Sequence, residues 1–541
     1  MAQLRIVEAS DLLQRARACK DAGQAAAGTL PKPRWRFLSR SIGWLAQAWP
    51  ASPSRYPRIS RALCRFASRE HALQHLQAAA AQDDERRRAN WELAKYLLQP
   101  AVFENLENSG ARLRTALTAA TESNNPLIEL NAAVALARVL FDRREYTGSL
   151  AAAQRALSAS PSHLRGMRLK ANALVALGQI KEARQIYARI VMAEPENSEA
   201  RTKLRALESL PEEISLRPRK GPAEGRTRLL VGIGGGIGDM LHATPSIRNI
   251  AERTGNRVDV VVFADNSGAE FLVKNPRYVN RVYGICPEAL DCSYETVFLT
   301  HSFGPLRFPF NAERIAASSD WEAFRPGGFP ETVFNLEAAQ AVLGVPFEDH
   351  DTSGYFVADL EWRRPKAALV GLHAGSKTGR WLSKRWPFFP ELAQRLAARG
   401  IRVASFGTPD EYVPGTADRT GGSIEEMCRA MMDCTHFVSN DSGAMHIANA
   451  LGIPVLALFA PTDPLTHLPS RAGTVGLALE KTCAPCEVKN HRYFASGACR
   501  CVAEIGVDSV EQKALQMLAL EPQAGSGYST IVSLGNAEGH A

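Results

Sequence analysis

The chain has 541 residues, of which 45% are apolar and 22% are charged, so it is too long for one hydrophobic core and we expect several structural units. No stretch approaches about 18 uninterrupted apolar residues, and the N-terminus lacks the succession of basic, apolar and small residues of a signal peptide. The sequence therefore argues against membrane-spanning helices and predicts a cytoplasmic protein. The net charge of +8 is concentrated at the N-terminus, because residues 1–80 hold 13 Lys and Arg against 4 Asp and Glu.

The first predicted unit is a basic segment over residues 1–82, which we expect to be partly helical. Its aromatic residues, among them Trp35 and Trp44, are compatible with peripheral contact between residues 31–70 and an anionic lipid surface. Prolines interrupt any long interfacial helix there, so a solvated N-terminal segment is the favoured interpretation. Although such a basic segment can also contact nucleic acid, we expect no nucleic-acid partner.

Residues 83–210 show helical spacing of Ala and Leu throughout, and they contain an internal repeat. The offset that separates Pro161 from Pro195 also separates Leu140 from Leu174. This pattern resembles the tetratricopeptide repeat, whose period is about 34 residues, and it predicts an all-α region of stacked helix pairs. Such an array has a concave face, so a partner-binding surface and a folded helical spacer both remain open interpretations.

The rest of the chain alternates strand and helix patterns. A Pro- and Gly-rich linker over 211–226 leads into two α/β regions, 227–362 and 363–520, and a Gly- and Ser-rich tail over 521–541 is expected to be disordered. The alternation predicts a multi-domain protein, in which the helical repeats precede two Rossmann-like domains with parallel sheets. In such sheets, ligands bind at the carboxyl ends of the strands.

The clearest functional signal lies in residues 438–464, which read VSNDSGAMHIANALGIPVLALFAPTDP. The pattern predicts a strand, a glycine-containing turn, a helix and a second strand. The N–H groups at such a helix start suit a diphosphate. Asp441 beside the turn is suited to accept hydrogen bonds from sugar hydroxyls. Alternatively, Asp441 or Ser442 only caps the helix.

A second glycine-rich turn covers residues 232–238 and follows a predicted strand. The dinucleotide fingerprint G-x-G-x-x-G fails here in every register, because its third glycine would fall on Ile237 or Asp239. The turn therefore argues against a nicotinamide-dependent enzyme. The turn still allows close approach of the backbone to a ligand.

Several motifs together resemble the bacterial heptosyltransferases of glycosyltransferase family nine, which transfer heptose from ADP-heptose. They are IGGGIGDMLHATP at 233–245, GLHAGS at 371–376, KRWP at 384–387, GTPDE at 407–411 and the stretch 438–464. The resemblance covers about residues 227–520. It implies a GT-B fold, with an acceptor domain over 227–362, a nucleotide-sugar domain over 363–520 and the active site in the cleft between them.

The resemblance also implies roles for single residues. Asp239 matches the family's catalytic base, although a carboxylate at a helix start can equally be a cap. His242, one turn further on, is a reserve candidate for proton handling or acceptor contact. Lys384 matches the lysine that pairs with the donor phosphate and stabilises the leaving group.

The remaining predicted donor-binding residues belong to the second domain. Glu411 matches the family's glutamate that binds the ribose hydroxyls. Ser376 and the turn Ser442–Gly443 should approach the diphosphate. We expect His446 to lie behind them. Alternatively, His446 is a core histidine whose hydrogen bonds are made within the protein. The scheme requires no catalytic metal.

Four cysteines lie close together near the end of the second α/β region, at Cys483, Cys486, Cys499 and Cys501. In a reducing compartment such a set ligates metal more often than it forms disulfides, and a sulfur-only site favours zinc or iron. We expect a structural metal. The spacing resembles the iron-bearing cysteine finger of the autotransporter branch of heptosyltransferases, which modifies proteins. That branch lacks a long tetratricopeptide region, so the resemblance is partial.

These observations predict an inverting glycosyltransferase that uses ADP-heptose or a close nucleotide sugar. The repeats and the cysteine set favour a hydroxyl of a polypeptide acceptor, such as an autotransporter adhesin, held by the tetratricopeptide-like region. The alternatives are a lipopolysaccharide core heptosyltransferase and a catalytically inactive repeat scaffold. Homo-oligomer formation is compatible with the sequence.

Overall fold

The computed structural model describes residues 115, 117–118, 126–214, 216, 228–264, 268–318, 330–481, 483–489, 493–494, 496–519 and 529–534. The predicted basic segment 1–82, the first part of the predicted repeat region and most of the predicted linker lie outside these residues. The chain divides into two compact units, one extending to Ala173 and the other beginning at Leu174. The predicted boundaries within these units stay predictions.

Helices fill the described part of the predicted repeat region. They are α1 (Pro126–Asp142), α2 (Tyr146–Ala159), α3 (Leu164–Ala176), α4 (Ile180–Ala193) and α5 (Ser198–Glu208). The start of α4 follows the start of α2 by the same number of residues as the start of α5 follows the start of α3. Pro161 and Pro195 lie in two equivalent turns and are separated by the same offset. The predicted period of the repeat is therefore confirmed.

Small residues let the helices of this region pack closely. In the first unit, Ala133, Val134 and Ala156 form a core between α1 and α2, and Ser149 Oγ donates to the carbonyl of Ala137 at 2.7 Å. In the second unit, Gly178 has a φ of +76°, and a Cβ there would lie 2.2 Å from the backbone oxygen of Ile214. Only glycine fits this turn without a shift of the backbone.

A first parallel sheet follows. Its elements are β1 (Leu229–Gly235), α6 (Ile237–Thr254), β2 (Val258–Ala264), β3 (Val279–Tyr283), α7 (Pro287–Asp291), β4 (Tyr294–Leu299), β5 (Ala312–Ala317) and α8 (Glu331–Leu343). The strand order is β3-β2-β1-β4-β5, and every pairing is parallel. The order reverses direction at β1, which places the start of α6 at the switch point where ligands bind in such sheets.

A second, seven-stranded parallel sheet has the order β12-β11-β10-β9-β6-β7-β8. Its elements are β6 (Leu369–His373), α9 (Phe389–Ala398), β7 (Arg402–Gly407), β8 (Ala417–Thr420), α10 (Ile424–Met431), β9 (His436–Asn440), α11 (Gly443–Leu451), β10 (Val455–Phe459), α12 (Pro464–His467), β11 (Thr474–Leu479), α13 (Cys486–Lys489), α14 (Val507–Ala519) and β12 (Thr530–Leu534). None of the helices in the described residues is long and apolar enough to cross a bilayer.

Strand β12 corrects the prediction that residues 521–541 are disordered throughout. Thr530 to Leu534 pair in parallel with Val475 to Leu479 at the edge of the second sheet. The Gly- and Ser-rich composition that suggested disorder precedes this stretch, whereas Thr530-Ile-Val itself is β-branched and suits a strand.

Helices α6 and α11 join the two sheets through a common hydrophobic core. This cluster contains Ile247 and Ile250 of α6 together with Met445 and Ile447 of α11. Because all four side chains are buried, the contact stabilises the approach of the two sheets. It also sets the starts of α6 and α11 side by side.

Candidate active site

A pocket of about 520 Å³ lies where the carboxyl ends of β6, β7 and β9 face the start of α6. This volume suits a small-molecule ligand. The predicted residues that line it are Asp239, Ser376, Lys384, Glu411, Asp441, Ser442, Gly443 and His446. Stretches that are distant from one another in the sequence therefore meet around one cavity.

Asp239 lies in the first turn of α6 and not at the cap position, because the helix starts at Ile237 and Gly236 is the N-cap. Its Oδ2 accepts a hydrogen bond from the Gly236 N–H at 2.6 Å. The carboxylate thus satisfies an N–H group of the helix start while it also borders the pocket. Both roles considered from the sequence are compatible with one side chain.

Two glycines allow α6 and α11 to start against each other at the pocket. A Cβ on Gly238 would lie 2.7 Å from a ring carbon of His446, and a Cβ on Gly443 would lie 2.9 Å from the Cβ of Ile237. Any side chain at either position would force the helices apart. The partial positive charges of two helix N-termini therefore converge on the cavity, which favours an anionic ligand such as a diphosphate.

Lys384 and Asp441 form a buried ion pair at the pocket. Lys384 Nζ donates to Asp441 Oδ2 at 2.5 Å, and the two side chains are 10% and 4% exposed. Burial raises the pKa of Asp441, but the charge of Lys384 and then of His467 outweigh it, so this pKa lies well below its usual range. The Lys384 ammonium also lies 4.4 Å from the centroid of the Trp381 ring.

The Lys384–Asp441 pair engages one N–H of the ammonium and one carboxylate oxygen. An ammonium has three donors, so Lys384 keeps the capacity to donate to a ligand phosphate while it holds Asp441.

Glu411 is held at the end of β7 by three donors. Its Oε2 accepts from the Thr408 N–H at 2.9 Å and lies 3.4 Å from His373 Nε2, and its Oε1 accepts from Arg385 at 3.3 Å. Burial raises the pKa of Glu411, but the hydrogen bond and charge of His373, together with Thr408, lower it to about 2. Glu411 is therefore an anion at neutral pH and can accept from ligand hydroxyls.

Ser376 organises the loop that carries Lys384. Its Oγ donates to the backbone oxygen of Trp381 at 2.9 Å, and the Arg385 guanidinium donates to the backbone oxygen of Ser376 at 3.0 Å. The hydroxyl is thus engaged within the loop although the residue borders the pocket.

His242 and His446 form a buried pair at the edge of the pocket. Their rings meet edge to face, with centroids 4.7 Å apart, and His242 Nδ1 lies 2.7 Å from Thr332 Oγ1. Burial lowers the pKa of His242 to about 4 and the pKa of His446 well below its usual range. Both rings are therefore neutral at neutral pH. Unlike His446, His242 does not line the cavity.

Sequence reasoning missed several residues of the pocket, namely His373, Lys377, Trp381 and His467. His373 adjoins Ser442 through a 3.0 Å contact between Nδ1 and Oγ. His373 lies within the motif at 371–376 and Lys377 directly follows it, so the sequence could have indicated both residues. His467 lies beyond the β9–α11–β10 unit and had no local signal, because only the fold returns it to the cavity.

Three of the four predicted cysteine ligands come together. The sulfur atoms of Cys486, Cys499 and Cys501 lie within 4.8 Å of one another, and all three residues are buried. Cys483 is exposed and lies outside this group of three, so its place as the fourth ligand stays a prediction. Cys486 begins α13 and joins the core of the second sheet, whereas Cys483 precedes the helix on the surface.

The donor chemistry of this group fits a soft metal ion, because three buried thiols without disulfides are suitable ligands for zinc or iron. A tetrahedral site needs a fourth ligand. Burial raises the pKa of Cys486 to about 12, with contributions from Cys499 and from the charge of Cys483.

The segment that contains these cysteines supports the loop that carries Lys384. The ring centroids of Phe494 and Trp381 are 5.3 Å apart, and Trp386 Nε1 donates to the backbone oxygen of Ile505 at 2.8 Å. A Cβ on Gly497, which has a φ of +68°, would lie 3.2 Å from the Cα of Arg380. A well-ordered cysteine segment therefore helps to hold the pocket wall in position.

Family profiles match two parts of the chain. The profile of glycosyltransferase family 9 (heptosyltransferase) matches residues 335–494, and a tetratricopeptide repeat profile matches residues 140–207. The first match is narrower than the predicted 227–520. It includes the Lys384, Glu411 and Asp441 positions but not Asp239.

The matching curated relatives are bacterial heptosyltransferases. Lipooligosaccharide heptosyltransferase 2 of Haemophilus influenzae is 33% identical over 113 residues, which are 18% of this chain and 32% of that protein. Lipopolysaccharide heptosyltransferase 1 of Pseudomonas aeruginosa is 31% identical over 139 residues, 23% of this chain and 38% of that protein. The chain thus spans about a third of the length of the curated relatives it matches.

Similar solved structures include Escherichia coli heptosyltransferase WaaC with ADP, at 18% identity and a TM-score of 0.41, covering 54% of this chain and 99% of that chain. The iron-containing dodecameric glycosyltransferase TibC from enterotoxigenic E. coli aligns at 16% identity and a TM-score of 0.37, covering 55% and 78%. In these comparisons, residues 335–494 are similar to glycosyltransferase family 9 (heptosyltransferase), and residues 140–207, which precede them, are similar to tetratricopeptide repeats.

Proposed function

We propose that the protein is an inverting glycosyltransferase with the GT-B arrangement of two Rossmann-like domains, which transfers heptose or a related sugar from ADP-heptose to a hydroxyl of a polypeptide. The observation that carries the proposal is the pocket at which the Lys384–Asp441 pair, Glu411 and Asp239 meet the starts of α6 and α11. The family match and the heptosyltransferase relatives support the same reaction.

In the proposed reaction, Asp239 takes the proton of the acceptor hydroxyl while the acceptor oxygen forms a bond to the anomeric carbon of the sugar. The bond between that carbon and the diphosphate oxygen breaks, and its electron pair leaves with ADP. Lys384 and the N–H groups at the starts of α6 and α11 stabilise the charge that develops on the diphosphate. A single displacement of this kind inverts the anomeric centre.

Residues that follow the strands of the second sheet recognise the donor. Glu411, an anion at neutral pH, accepts hydrogen bonds from the ribose hydroxyls, and Asp441 accepts from the sugar. Ser376, Ser442 and Gly443 border the diphosphate. No catalytic metal takes part in this scheme.

The repeat region supports a polypeptide acceptor. Residues 140–207 match tetratricopeptide repeats, and stacked repeats hold extended partners on one face. A polypeptide held there presents successive hydroxyls to the pocket at a raised effective concentration. The names of the curated relatives favour the alternative, a lipopolysaccharide core acceptor.

The test is to incubate the full chain with ADP-heptose and either an adhesin-type polypeptide or lipopolysaccharide core, and to measure products by mass spectrometry. We expect a mass increase of one or more heptoses on the polypeptide, together with release of ADP. Labelling of the lipid core alone would establish the alternative acceptor. If ADP stabilised the protein in a thermal shift assay but neither transfer nor donor hydrolysis occurred, the protein would be a nucleotide-binding scaffold without transferase activity.

We further propose that Cys486, Cys499 and Cys501, completed by Cys483, hold a structural zinc or iron ion. The purified protein should contain about one such ion per chain by elemental analysis, and Cys486→Ser should lower both this content and the melting temperature. Cys428→Ser is the matched control, because it replaces a buried thiol outside the group and should leave the metal content unchanged. Metal-free protein with the same melting temperature before and after chelation would contradict the proposal.

The other predicted partners and properties stay predictions. They are peripheral lipid contact through residues 31–70, which lie outside the described residues, homo-oligomer formation and a cytoplasmic location.

A further inference from the structure

His467 lines the pocket, and the scheme above gives it no role. It is the last residue of α12, which follows β10 in the second sheet. Its side chain is 28% exposed, so the ring is not enclosed by the protein. His467 is therefore accessible to a ligand in the same cavity as Lys384 and Asp441.

One ring nitrogen of His467 is held by the protein. Its Nε2 lies 2.9 Å from Glu487 Oε2, and the same oxygen accepts from the Asp463 N–H at 3.4 Å. An ionised carboxylate only accepts hydrogen bonds, so the bond between His467 and Glu487 requires the ring proton on Nε2. The carboxylate therefore sets both the orientation of the ring and the nitrogen that carries the proton.

The second ring nitrogen of His467, Nδ1, has no hydrogen-bond partner among the residues that the structure describes. With a proton on Nε2, Nδ1 accepts a hydrogen bond in the neutral ring and donates one in the protonated ring. A hydroxyl group can do both, so it can bond to Nδ1 in either state. A diphosphate oxygen only accepts and would bond to the protonated ring alone. The chemistry of Nδ1 therefore favours a hydroxyl of the ligand.

Glu487 is itself attached to the stretch of chain that carries His467. Besides the two contacts of its carboxylate, its N–H donates to the backbone oxygen of Pro461 at 2.9 Å. Glu487 is the second residue of α13 and directly follows Cys486. The helix of the cysteine segment therefore holds the ring of His467 in place at the pocket.

The order of the strands indicates which part of a nucleotide sugar His467 faces. Four neighbouring strands of the second sheet lie in the order β7, β6, β9 and β10. The residues that follow these strands in the chain are, in the same order, Glu411, Lys384, Asp441 and His467. Because neighbouring strands lie about 4.8 Å apart, such residues meet successive parts of a ligand that lies across the strand ends.

The same order is found along the proposed donor, which consists of ribose, diphosphate and sugar. In the proposed function, Glu411 binds the ribose and Lys384 stabilises the diphosphate. A donor with its ribose at β7 and its diphosphate at β6 and β9 reaches the end of β10 with its sugar. Asp441, which is proposed to accept from that sugar, follows the strand next to β10. Strand order and the chemistry of Nδ1 therefore indicate the same group of the ligand.

We propose that His467 binds a hydroxyl of the transferred sugar through Nδ1, and that Glu487 positions the ring by holding Nε2. The inference rests on the proposed function, because the orientation of the donor follows from the roles of Glu411 and Lys384 there. His467 contacts the substrate. Glu487 acts through His467 and is a positioning residue, so the cysteine segment contributes to recognition of the sugar.

The experiment measures the dissociation constants of ADP and of ADP-heptose by calorimetry, with the full chain and without acceptor. The ratio of the two constants reports the contribution of the sugar. His467→Phe keeps an aromatic ring but has no nitrogen, so we expect the dissociation constant of ADP-heptose to rise about 3- to 10-fold, as for the loss of one hydrogen bond. The constant of ADP should be unchanged, which also shows that the variant is folded.

Two variants test the positioning role of Glu487. Glu487→Leu cannot accept from Nε2, so the ring of His467 loses its orientation, and the dissociation constant of ADP-heptose should rise about 2- to 5-fold with that of ADP unchanged. Glu487→Gln keeps an oxygen that accepts, so it should restore most of the affinity for ADP-heptose. If Glu487 only supported the fold, its replacement by leucine would weaken the binding of ADP and ADP-heptose together.

His350→Phe is the matched control. His350 also pairs with a glutamate, Glu348, but it is exposed and does not line the pocket, so both dissociation constants should equal those of the wild type.

Either of two results for His467→Phe would overturn the inference. One is an unchanged affinity for ADP-heptose, and the other is an equal loss of affinity for ADP and ADP-heptose. Transfer by the wild type would leave the proposed function standing in both cases. Conversely, a wild type that neither transfers nor hydrolyses ADP-heptose would refute the proposed function, while a selective loss of ADP-heptose affinity in His467→Phe would still support the contact with the sugar.

Discussion

Replacement of Asp239 by asparagine is expected to reduce sugar transfer by about 100-fold or more while the protein still folds and binds the donor. The amide oxygen can still accept from the Gly236 N–H, which the Asp239 Oδ2 does at 2.6 Å, so the start of α6 should be preserved. The amide cannot take the acceptor proton, and a positioned general base contributes about 100- to 10,000-fold. Turnover of ADP-heptose with the acceptor measures the first effect, and a thermal shift with ADP measures the second.

Glu426→Gln is the control for capping alone. Glu426 holds the equivalent position in α10, where its Oε2 accepts from the Ser423 N–H at 2.7 Å. We expect its transfer rate to stay within a few-fold of wild type. If Asp239→Asn were equally active, Asp239 would be no more than a helix cap, and His242 would become the candidate for proton handling.

The second large effect concerns the buried pair of Lys384 and Asp441. Lys384→Gln or Asp441→Asn leaves one buried charge without its partner, so each should lower the free energy of unfolding by about 3–5 kcal/mol. The double variant Lys384→Gln/Asp441→Asn has no unpaired charge and should recover most of that loss. It should not recover transfer, because the Lys384 ammonium that stabilises the leaving diphosphate is gone. Urea unfolding and turnover measure the two quantities separately.

Glu425→Gln is the control for this experiment, since it breaks the exposed pair of Glu425 and Arg429, whose side chains are 48% and 59% exposed. Exposed pairs contribute about 0–1 kcal/mol, so little change is expected. Full transfer by the double variant would show that the Lys384–Asp441 pair is structural only.

Most of the architecture could be predicted because its signals are local. The regular offset of the helices follows from small residues and turn prolines at fixed intervals, and the buried strands of the parallel sheets are short apolar runs beside glycine-rich turns. Strand β12 was missed because a short β-branched stretch within a Gly- and Ser-rich tail becomes a strand only when β11 offers it an open edge.

The chemistry of the pocket divides in the same way. Lys384, Glu411 and Asp441 could be named because their motifs resemble those of a known family. The contacts among these residues could not be predicted. Lys384 and Asp441 are distant in the sequence and form an ion pair only because the fold buries them together. The cysteine spacing predicted a cluster, but the position of Cys483 outside it depends on where α13 begins.

By itself, the sequence determined which residue types stand at the ends of which elements, since capping, turn and strand patterns act over a few neighbouring positions. Only the tertiary structure decided that α6 and α11 start against each other and that His467 returns to the pocket. The physical reason is that burial and pairing of charges depend on what the other elements bring near. The carboxyl group of Asp441, for example, is paired with a buried ammonium only because the fold encloses it beside Lys384.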